Sequence, residues 1–260
     1  MSFKTLRIDR TASVLTVTLD RPETHNALDE VMLSELCELF TKLPARSDVR
    51  GVILAGNGDK AFAAGTDIKR VAEMSVDDAL AFSRLGQQVT ELMEAAPVPV
   101  IACVHGEAIG AGCELPLAAD FIYATEDATF GLPEAHLGLI PAFGGCVRLL
   151  RRIGPGRAKE MLYTGSSIRA HEATRLGLVN AVFADRRAMV AAAIAQVNVV
   201  ATRSPIAVTA MKELVRSLDG KSGAAQLALE NSAFGRVFAS DDRREGVAAF
   251  LAKRDPAYIP

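Results

Sequence analysis

Three segments of the sequence carry residue types that indicate chemistry rather than simple packing. The first comprises residues 61–69 (AFAAGTDIK), a run of small residues that leaves a predicted strand. Small residues let another molecule approach the main chain closely, and the amides of such a loop are then available as hydrogen-bond donors. The segment therefore predicts a loop that offers backbone N–H groups to a bound molecule.

The second segment comprises residues 105–116 (HGEAIGAGCELP), which follow a predicted buried strand. Pro116 lacks an amide and would break a helix interior, so we expect it in the first turn of a helix that starts near Gly112. The amides of residues 110–112 would then lie at the positive end of that helix, where an anion or a developing oxyanion could bind. Phosphate-loop motifs do not fit, because no GK[ST] follows and Leu115 stands where GxGxxG needs its third glycine.

Two acidic residues occupy apolar surroundings. Glu114 lies in the second segment, and Glu134 lies in the third, residues 130–145, ahead of a loop rich in glycine and proline. Burial should raise both pKa values, and such carboxyl pairs perform general acid–base chemistry, often around a water molecule. Glu114 could equally be a carboxylate that satisfies helix-start amides, as capping acids commonly do. A separation of 20 residues does not establish that the two acids meet.

Composition limits the class of protein. The chain has 260 residues, of which 50% are hydrophobic, enough for one globular domain that needs no disulfide or metal for stability. Twenty-nine Lys and Arg against 31 Asp and Glu give a net charge of −2, which argues against a general nucleic-acid or acidic-membrane binder. Tryptophan is absent and aromatic residues make up only 5%, so platforms for stacking nucleic-acid bases are scarce.

The cysteine and histidine residues predict neither a metal site nor a disulfide framework. The four cysteines contain no CxxC pair and are best interpreted as free thiols, most of them buried. The four histidines show no HExxH or other ligand spacing. Because no export signal and no apolar run of about 20 residues is present, we expect a cytoplasmic protein that does not enter the membrane.

Hydrophobic periodicity predicts an α/β fold. Two short strands surround residues 11–13, buried strands follow at 51–56, 98–104 and 121–124, and a further strand lies near 178–183. Helices are predicted from Asp29 to Pro44 and, after a capping box at Ser75 and Asp78, to Ala95. From about Ala158 the chain is predicted to be helical apart from the strand near 178–183, with caps at Ser204–Pro205 and at residues 242–245. We divide the chain into a core of residues 1–195 and a C-terminal helical segment of residues 196–260.

Taken in order, these segments resemble the crotonase superfamily, the enoyl-CoA hydratase/isomerase family. The resemblance extends from residues 21–28 (RPETHNAL) through the three segments to Thr164–Gly165, residues 173–179 and residues 241–246 (DDRREG) with Phe250. It implies the ClpP/crotonase spiral of ββα units with C-terminal helices that mediate trimer formation. It also implies a homotrimer or a dimer of trimers.

The resemblance implies an active site. The amides of Thr66 and Ala111 would form an oxyanion hole for the thioester carbonyl of an acyl-CoA, at positions where the family usually has Ala or Gly and then Gly. Hydratases of the family carry acids at both positions matching Glu114 and Glu134, so the implied reaction is reversible syn addition of water to a 2-enoyl-CoA. Glu114 would deprotonate the water, Glu134 would hold it and protonate C2, and the Ala142 amide would help to hold it.

The resemblance also implies that coenzyme A, as part of the substrate, is bound by two loops, and that no separate cofactor is needed. The residues concerned are Glu23, Thr24, His25, Ala64, Thr66, Asp67, Ile68 and Lys69. Lys69 and Lys253 could meet phosphates or be solvated surface charges. His136 could line the acyl pocket or serve packing. Phe143 and Cys146 depart from the short-chain hydratases and make the acyl group uncertain.

Two alternatives accompany the hydratase hypothesis. A double-bond isomerase or another CoA-thioester lyase would keep the oxyanion hole and use the acids without adding water. Because some members of the superfamily bind RNA, a non-catalytic binding or scaffold protein is the second alternative. The candidate RNA-binding surface is a basic cluster, which could instead be an ordinary helix face exposed to solvent. The cluster comprises Arg148, Arg151, Arg152 and Arg157.

Overall fold

Two β-sheets form the scaffold of the protein in a computed structural model, which describes residues 3–258. The strands in this range are β1 (Leu6–Thr11), β2 (Val14–Leu19), β3 (Gly51–Gly56), β4 (Ala61–Ala63), β5 (Val100–Val104), β6 (Glu107–Ile109), β7 (Phe121–Thr125), β8 (Thr129–Gly131), β9 (Ser167–Arg169) and β10 (Ala181–Phe183). Six of them form the larger sheet in the order β1-β2-β3-β5-β7-β10, and four form the smaller sheet in the order β4-β6-β8-β9.

The helices surround these sheets. They are α1 (Glu30–Lys42), α2 (Ile68–Glu73), α3 (Val76–Ala95), α4 (Ala111–Leu117), α5 (Gly145–Thr164), α6 (Ala170–Arg175), α7 (Arg186–Ala201), α8 (Pro205–Ser217), α9 (Gly223–Phe238) and α10 (Asp241–Leu251). Short 3-10 helices occupy Pro22–Thr24, Leu43–Ala45 and Glu134–Leu137. The predicted α/β class is confirmed, and the structural similarities reported below confirm the crotonase fold.

The larger sheet follows from the apolar runs of its strands. β1 and β2 pair antiparallel around a turn in which Ala12 has a positive φ of 51°. From β2 to β10 the neighbouring strands pair in parallel. All residues of β3 and β5 are buried, because helices cover both faces of a parallel sheet. α1 and α3 pack together on one side, and α7 packs against the other.

Capping residues fix where most helices begin, as the sequence indicates. Asp29 accepts a hydrogen bond from Met32 N at the start of α1. Ser75 and Asp78 form the expected capping box of α3. Ser204 caps α8, with Pro205 as its first residue. These side chains satisfy amides that have no partner within the helix.

Two capping predictions are wrong. Pro116 is the sixth of the seven residues of α4, not part of its first turn. The helix tolerates it because the chain leaves the helical path directly afterwards, so the missing amide costs a single bond near the end. The last helix is capped by Ser240, whose hydroxyl accepts from Arg243 N. Asp242 is instead buried and accepts a 2.5 Å hydrogen bond from the Ser204 hydroxyl, which ties α10 to the start of α8.

The smaller sheet is the part of the fold that the sequence did not predict. β4, β6, β8 and β9 have three residues each, too few to show an alternating pattern. β4 occupies the beginning of the small-residue segment, and a Cβ atom on Gly112 would lie only 2.0 Å from the Ala63 carbonyl oxygen. The start of α4 therefore packs directly on β4, and only glycine allows this approach.

The C-terminal helices carry an exposed apolar surface. The predicted boundary at residue 195 lies within α7, whose buried Ala193 and Val197 pack on the larger sheet. Beyond it, α8–α10 expose Ile206, Met211, Val215, Leu227, Phe234, Phe238, Val247, Phe250 and Leu251. Within residues 3–258 no single helix has the length and apolarity needed to cross a membrane, and only α7 and α8 taken together, bent by 110°, meet the two criteria.

Candidate active site

The two small-residue loops predicted from the sequence lie against each other. A Cβ atom on Gly65 would lie 3.0 Å from the Ile109 carbonyl oxygen and 3.8 Å from Ala111 N. A Cβ atom on Gly110 would lie 3.9 Å from Gly65 Cα. Both glycines have positive φ values, 90° and 55°, which residues with a side chain adopt only at a cost. Glycine at these two positions brings the end of β4 and the start of α4 into contact.

Four amides at this contact, those of residues 65, 66, 111 and 112, have no hydrogen-bond partner within residues 3–258, and two of them are the predicted donors. These two are the N–H groups of Thr66 and Ala111, the residues proposed for the oxyanion hole. Two adjacent backbone groups are bonded: Gly110 N donates to Gly131 O at 2.9 Å, and Gly65 O accepts from Leu28 N at 2.7 Å. These bonds hold the two loops in place and leave a pair of donors for another acceptor.

Glu114 lies one turn along α4 and is almost completely buried. Its Oε1 accepts hydrogen bonds from Phe143 N at 2.8 Å and Gly145 N at 2.6 Å, and Oε2 accepts from Ala142 N at 3.3 Å. Burial raises the pKa of Glu114 to about 7, although these three amides lower it, and the charge of Glu134 raises it further. The carboxyl group can therefore exchange a proton near neutral pH.

Glu134 begins the 3-10 helix Glu134–Leu137 and is half-buried. Its Oε2 atom is buried without a hydrogen-bond partner within residues 3–258, and burial raises the pKa of this carboxyl group. Its Oε1 atom lies 3.2 Å from the position that a Cβ on Gly110 would take, beside the two free amides. The structure thus brings Glu134 to the loop contact, and its charge acts on Glu114.

Ala142 contacts Glu114 directly. The amide that the resemblance assigns to water binding donates to Glu114 Oε2, at the longest of the three distances to this carboxylate. A water molecule accepting from this amide would therefore lie beside the carboxylate that is expected to deprotonate it. The capping role considered for Glu114 is observed at another helix, because its Oε1 accepts from the N–H of Gly145, the first residue of α5, while Ala142 and Phe143 precede that helix.

The two loops predicted to bind coenzyme A are also adjacent. Ala64 N donates to His25 O at 3.0 Å, which joins the loop after the 3-10 helix Pro22–Thr24 to the loop after β4. Glu23, Thr24 and His25 are exposed, as are Asp67, Ile68 and Lys69, so these side chains are open to a ligand. Asp67 also caps α2 by accepting from Lys69 N. Lys253 is exposed near the C-terminus.

Asn26 connects these loops and was not singled out from the sequence. It is fully buried, its Oδ1 accepts from Arg21 N, and its Nδ2 lies 2.8–3.2 Å from the carbonyl oxygens of Asn57, Ala61 and Phe62. The hydrogen bonds of Asn26 hold the first loop against β4. No spacing pattern distinguishes such an asparagine from one in an ordinary polar loop.

The residues that depart from the short-chain pattern lie in different environments. Phe143 is fully buried, and its ring centroid lies 5.4 Å from that of Phe82 on α3. Cys146 is half-buried on α5, and both acids raise the pKa of its thiol beyond the effect of burial. His136 is exposed, and its Nε2 lies 2.9 Å from the Thr164 carbonyl oxygen, in agreement with the packing interpretation.

The basic cluster is not an open surface patch, because each arginine has acceptors within the protein. Arg148 is buried in a two-bond ion pair with Glu94, and Arg152 donates to the carbonyl oxygens of Leu117 and Ala119. Arg151 pairs with Asp219, and Arg157 pairs with Glu160 and Glu172. The cluster therefore gives no support to RNA binding, and the solvated-face interpretation does not describe Arg148 or Arg152. Within residues 3–258 no group of three or more His, Cys, Asp or Glu could hold a metal ion.

The arrangement can stabilise negative charge on a carbonyl oxygen and move a proton beside it. The two predicted donor amides, without a partner within residues 3–258, lie at the loop contact, Glu134 Oε1 lies beside Gly110 of that contact, and Glu114 follows on α4. Both carboxyl groups have raised pKa values. Such geometry suits reactions in which a thioester forms an enolate-like intermediate.

Comparison with known proteins agrees with this chemistry. The family model described as "Enoyl-CoA hydratase/isomerase" matches residues 9–259. The chain is 38% identical to a short-chain-enoyl-CoA hydratase of Clostridium acetobutylicum, over 98% of this chain and 97% of that protein. It is 38% identical to a crotonyl-CoA hydratase of Syntrophomonas wolfei, over 100% and 99% of the two chains. The crystal structure of an enoyl-CoA hydratase from Bacillus anthracis superimposes with a TM-score of 0.94 at 38% identity, covering 98% and 99%.

Proposed function

The chain belongs to the enoyl-CoA hydratase/isomerase family, and we propose that it is an enoyl-CoA hydratase, which adds water reversibly across the 2,3 double bond of a 2-enoyl-CoA thioester. One observation carries the proposal: two partly or fully buried carboxyl groups lie beside two unbonded amides at the contact of the β4 and α4 loops. A hydratase needs both features in one place.

We assign the oxyanion hole to the backbone amides of Thr66 and Ala111. When water adds at C3, negative charge develops on the thioester oxygen, and two preorganised amides stabilise it more strongly than mobile water does. One such donor contributes about 2.7–4 kcal/mol to transition-state stabilisation. Because the donors are main-chain groups, Thr and Ala can serve here, although their side chains narrow the space for the acyl group.

We assign the proton transfers to the two acids. Glu114, whose pKa of about 7 leaves a substantial ionised fraction at neutral pH, would take a proton from the water as it attacks C3. Glu134 would hold the water through its buried, unpartnered oxygen and deliver a proton to C2. The Ala142 amide, whose bond to Glu114 Oε2 is long at 3.3 Å, would share its proton between that carboxylate and the water. Addition from one side places both new bonds on the same face of the double bond.

We assign coenzyme A binding to the adjacent loops of residues 23–25 and 64–69, with Lys69 as a candidate partner for a phosphate. The substrate brings the coenzyme, and the proposed reaction requires no other cofactor. The relatives named for short-chain and crotonyl substrates favour a short acyl chain, and the buried position of Phe143 leaves that assignment possible because its ring packs on α3.

We infer that the protein forms a homotrimer or a dimer of trimers. The support is the apolar surface of α8–α10, since residues such as Phe234 and Phe250 are 65% and 82% exposed in the single chain. We propose the cytoplasm as its location, in agreement with four free cysteines. The division into a core and a C-terminal helical segment is likewise a proposal.

The direct test is incubation of the purified protein with trans-2-butenoyl-CoA and longer 2-enoyl-CoAs, while the absorbance of the conjugated thioester is followed. We expect rapid loss of absorbance and a product heavier by one water, with the rate across the length series reporting pocket size. The Glu114→Gln variant, purified in the same way, controls for contaminating host enzymes. Loss of absorbance without a change in mass would identify an isomerase instead, and binding without any reaction would contradict catalysis on these substrates.

A further inference from the structure

A stripe of hydrogen-bonding residues runs along one face of α3. The residues are Ser83, Gln87, Thr90 and Glu94, at intervals of four, three and four, so they lie above one another on the helix. They face residues 142 and 143, whose amides bind Glu114. The sequence predicts α3 only as a helix that begins at a capping box, and no part of the proposed reaction uses this stripe.

The first half of the stripe holds the Ala142 carbonyl. Ser83 Oγ donates to Ala142 O at 2.7 Å, and Gln87 Nε2 donates to the same oxygen at 3.1 Å. Gln87 Nε2 also lies 3.3 Å from Ser83 Oγ, so the two side chains support each other. The N–H of the same residue, Ala142, points at Glu114.

The second half holds the Phe143 carbonyl. The fully buried Thr90 hydroxyl shares its one proton between two carbonyl oxygens, Gln87 O at 2.8 Å and Phe143 O at 3.1 Å, so it bridges α3 to the loop. Arg148 Nη1 donates to Phe143 O at 2.8 Å, and Glu94 orients that guanidinium through bonds of 2.7 and 2.8 Å. The Phe143 N–H donates to Glu114 Oε1.

The Phe143 ring completes the attachment to α3. It packs against Phe82, and a Cβ on Gly86 would lie 2.1 Å from the ring, so the ring sits directly on the helix backbone. The side chain of Phe143 is therefore held by α3, and its carbonyl is held by α3 and by the Glu94–Arg148 ion pair. With both groups fixed, the peptide orientation directs the Phe143 N–H toward Glu114.

We propose that Ser83, Gln87, Thr90 and the Glu94–Arg148 pair are positioning residues for the reaction: they grip the carbonyls of Ala142 and Phe143 and thereby aim the amides of this loop at Glu114. The inference rests on the proposed function only in naming Glu114 as the base. None of these residues contacts the reacting atoms, so their effect must pass through the loop amides and the carboxylate.

This role has a distinct consequence for proton transfer. Weaker donation from the loop amides leaves the Glu114 carboxylate less stabilised, so the pKa of Glu114 should rise when the grip is loosened. The other titratable groups that act on Glu114 or lie with it are Glu134 on the 3-10 helix, Cys113 on α4 and Cys146 on α5. The variants below change none of them.

The test compares Thr90→Val, which removes one hydroxyl at nearly constant volume, with Thr90→Ser, which keeps it. We expect kcat of Thr90→Val to fall about tenfold, the equivalent of one hydrogen bond, with KM within about twofold. The acidic limb of the pH profile of kcat should move to higher pH. Thr90→Ser should retain near wild-type kcat.

Thr209→Val is the matched control, because the Thr209 hydroxyl also bonds a distant carbonyl, that of Pro97 at 2.7 Å, away from the acids. It should leave kcat and its pH profile unchanged. The Ser83→Ala/Gln87→Ala double variant removes both bonds to Ala142 O near the surface and decides the matter if Thr90→Val does not fold. Wild-type kcat in the variants of the stripe, or an equal loss in Thr209→Val, would overturn the proposal.

A measurement without substrate separates this inference from the proposed function. The infrared carboxyl band that disappears in Glu114→Gln reports the protonation of Glu114, and its titration can be followed in each variant. An upward shift in Thr90→Val, absent in Thr209→Val, supports the positioning role even if no enoyl-CoA is hydrated. An unchanged titration overturns it even if the protein is an active hydratase.

Discussion

The surroundings of Glu114 and of Glu134 differ in how firmly each carboxyl group is held. Glu114 lies inside the protein, accepts hydrogen bonds from three amides of one loop, and that loop is itself bonded to α3. Glu134 lies on a single turn of 3-10 helix, half-buried, and one of its oxygens has no partner within residues 3–258. Glu114 is therefore held rigidly by its loop, which we call the rigid side, and Glu134 is held by few bonds, which we call the open side.

This difference indicates a division of labour. The carboxylate held by amides keeps its position and a pKa close to neutrality, as a base that must act repeatedly requires. The carboxyl group with an unpartnered oxygen retains a site for a water molecule or a substrate group. The backbone around Glu114 and Glu134 thus gives two carboxyl groups of the same type different hydrogen bonding and different mobility.

The largest expected effect is the loss of either acid. Glu114→Gln and Glu134→Gln should each lower kcat for hydration by about 10²–10⁴-fold, because each removes one proton transfer. The double variant should have a kcat only slightly below that of the less active single variant, since the effects of substituting residues that act as a unit are not additive. Steady-state kinetics and circular dichroism of all three test this, and near wild-type activity of a folded single variant would refute the assigned role.

A glycine substitution next to each acid should show that activity is more sensitive to change on the rigid side than on the open side. A Cβ on Gly145 would lie 2.8 Å from Glu114 Oε1, so Gly145→Ala should displace the carboxylate at a cost of about 1–3 kcal/mol and lower kcat by about 10–100-fold. Gly138, at the end of the 3-10 helix, has a φ of 70° and no atom within 4 Å of such a Cβ.

Gly138→Ala should therefore cost about 1–2 kcal/mol of stability through backbone strain, with kcat within about twofold of wild type. Urea unfolding and kinetics measure the two effects. If the two variants lost equal activity, the contrast between the sides would not hold.

The free energy of unfolding should also depend on pH, and more strongly through Glu114 than through Glu134. The pKa of Glu114 is about 7 in the folded protein and 4.5 as an ordinary glutamate, so between these values the unfolded chain releases a proton that the folded protein retains. The folded state therefore loses stability as pH rises from 4.5 to 7, by at most about 3 kcal/mol, and no more above it.

Glu114→Gln cannot ionise, so its stability relative to wild type should rise between pH 5 and pH 8. Denaturant unfolding at both pH values measures this, and Glu134→Gln provides the comparison on the half-buried side, where we expect a smaller change. A constant difference between wild type and Glu114→Gln would contradict the raised pKa.

The smallest expected effect concerns the tether of the open side. His136 Nε2 is 2.9 Å from the Thr164 carbonyl oxygen, an exposed bond that ties the 3-10 helix to the end of α5. His136→Ala should lower kcat about two- to fivefold by loosening Glu134, in line with a weak exposed hydrogen bond. His171→Ala, which removes another exposed histidine, is the control. A change in chain-length preference instead of kcat would favour the acyl-pocket interpretation.

Much of the fold followed from the sequence because its signals are local. The apolar run of residues 51–56 and the capping residues Asp29, Ser75 and Ser204 act through neighbours in the chain, and each predicted element was found. The three-residue strands of the smaller sheet were missed, because their pairing depends on residues far away in sequence. The same holds for Asn26, whose Nδ2 donates to carbonyl oxygens more than 30 residues away.

The sequence by itself determined the candidate acids, the two glycine-containing loops and, through their order along the chain, the family to which the protein belongs. It could not determine that the charge of Glu134 acts on Glu114, that the Thr66 and Ala111 amides have no partner within residues 3–258, or that α3 holds the loop facing Glu114. Those features depend on contacts between segments tens of residues apart, whose distances and burial exist only once the two sheets and α3 have packed together. The residue types therefore specify which chemistry is available, and the tertiary structure decides the position and acidity with which each group meets the substrate.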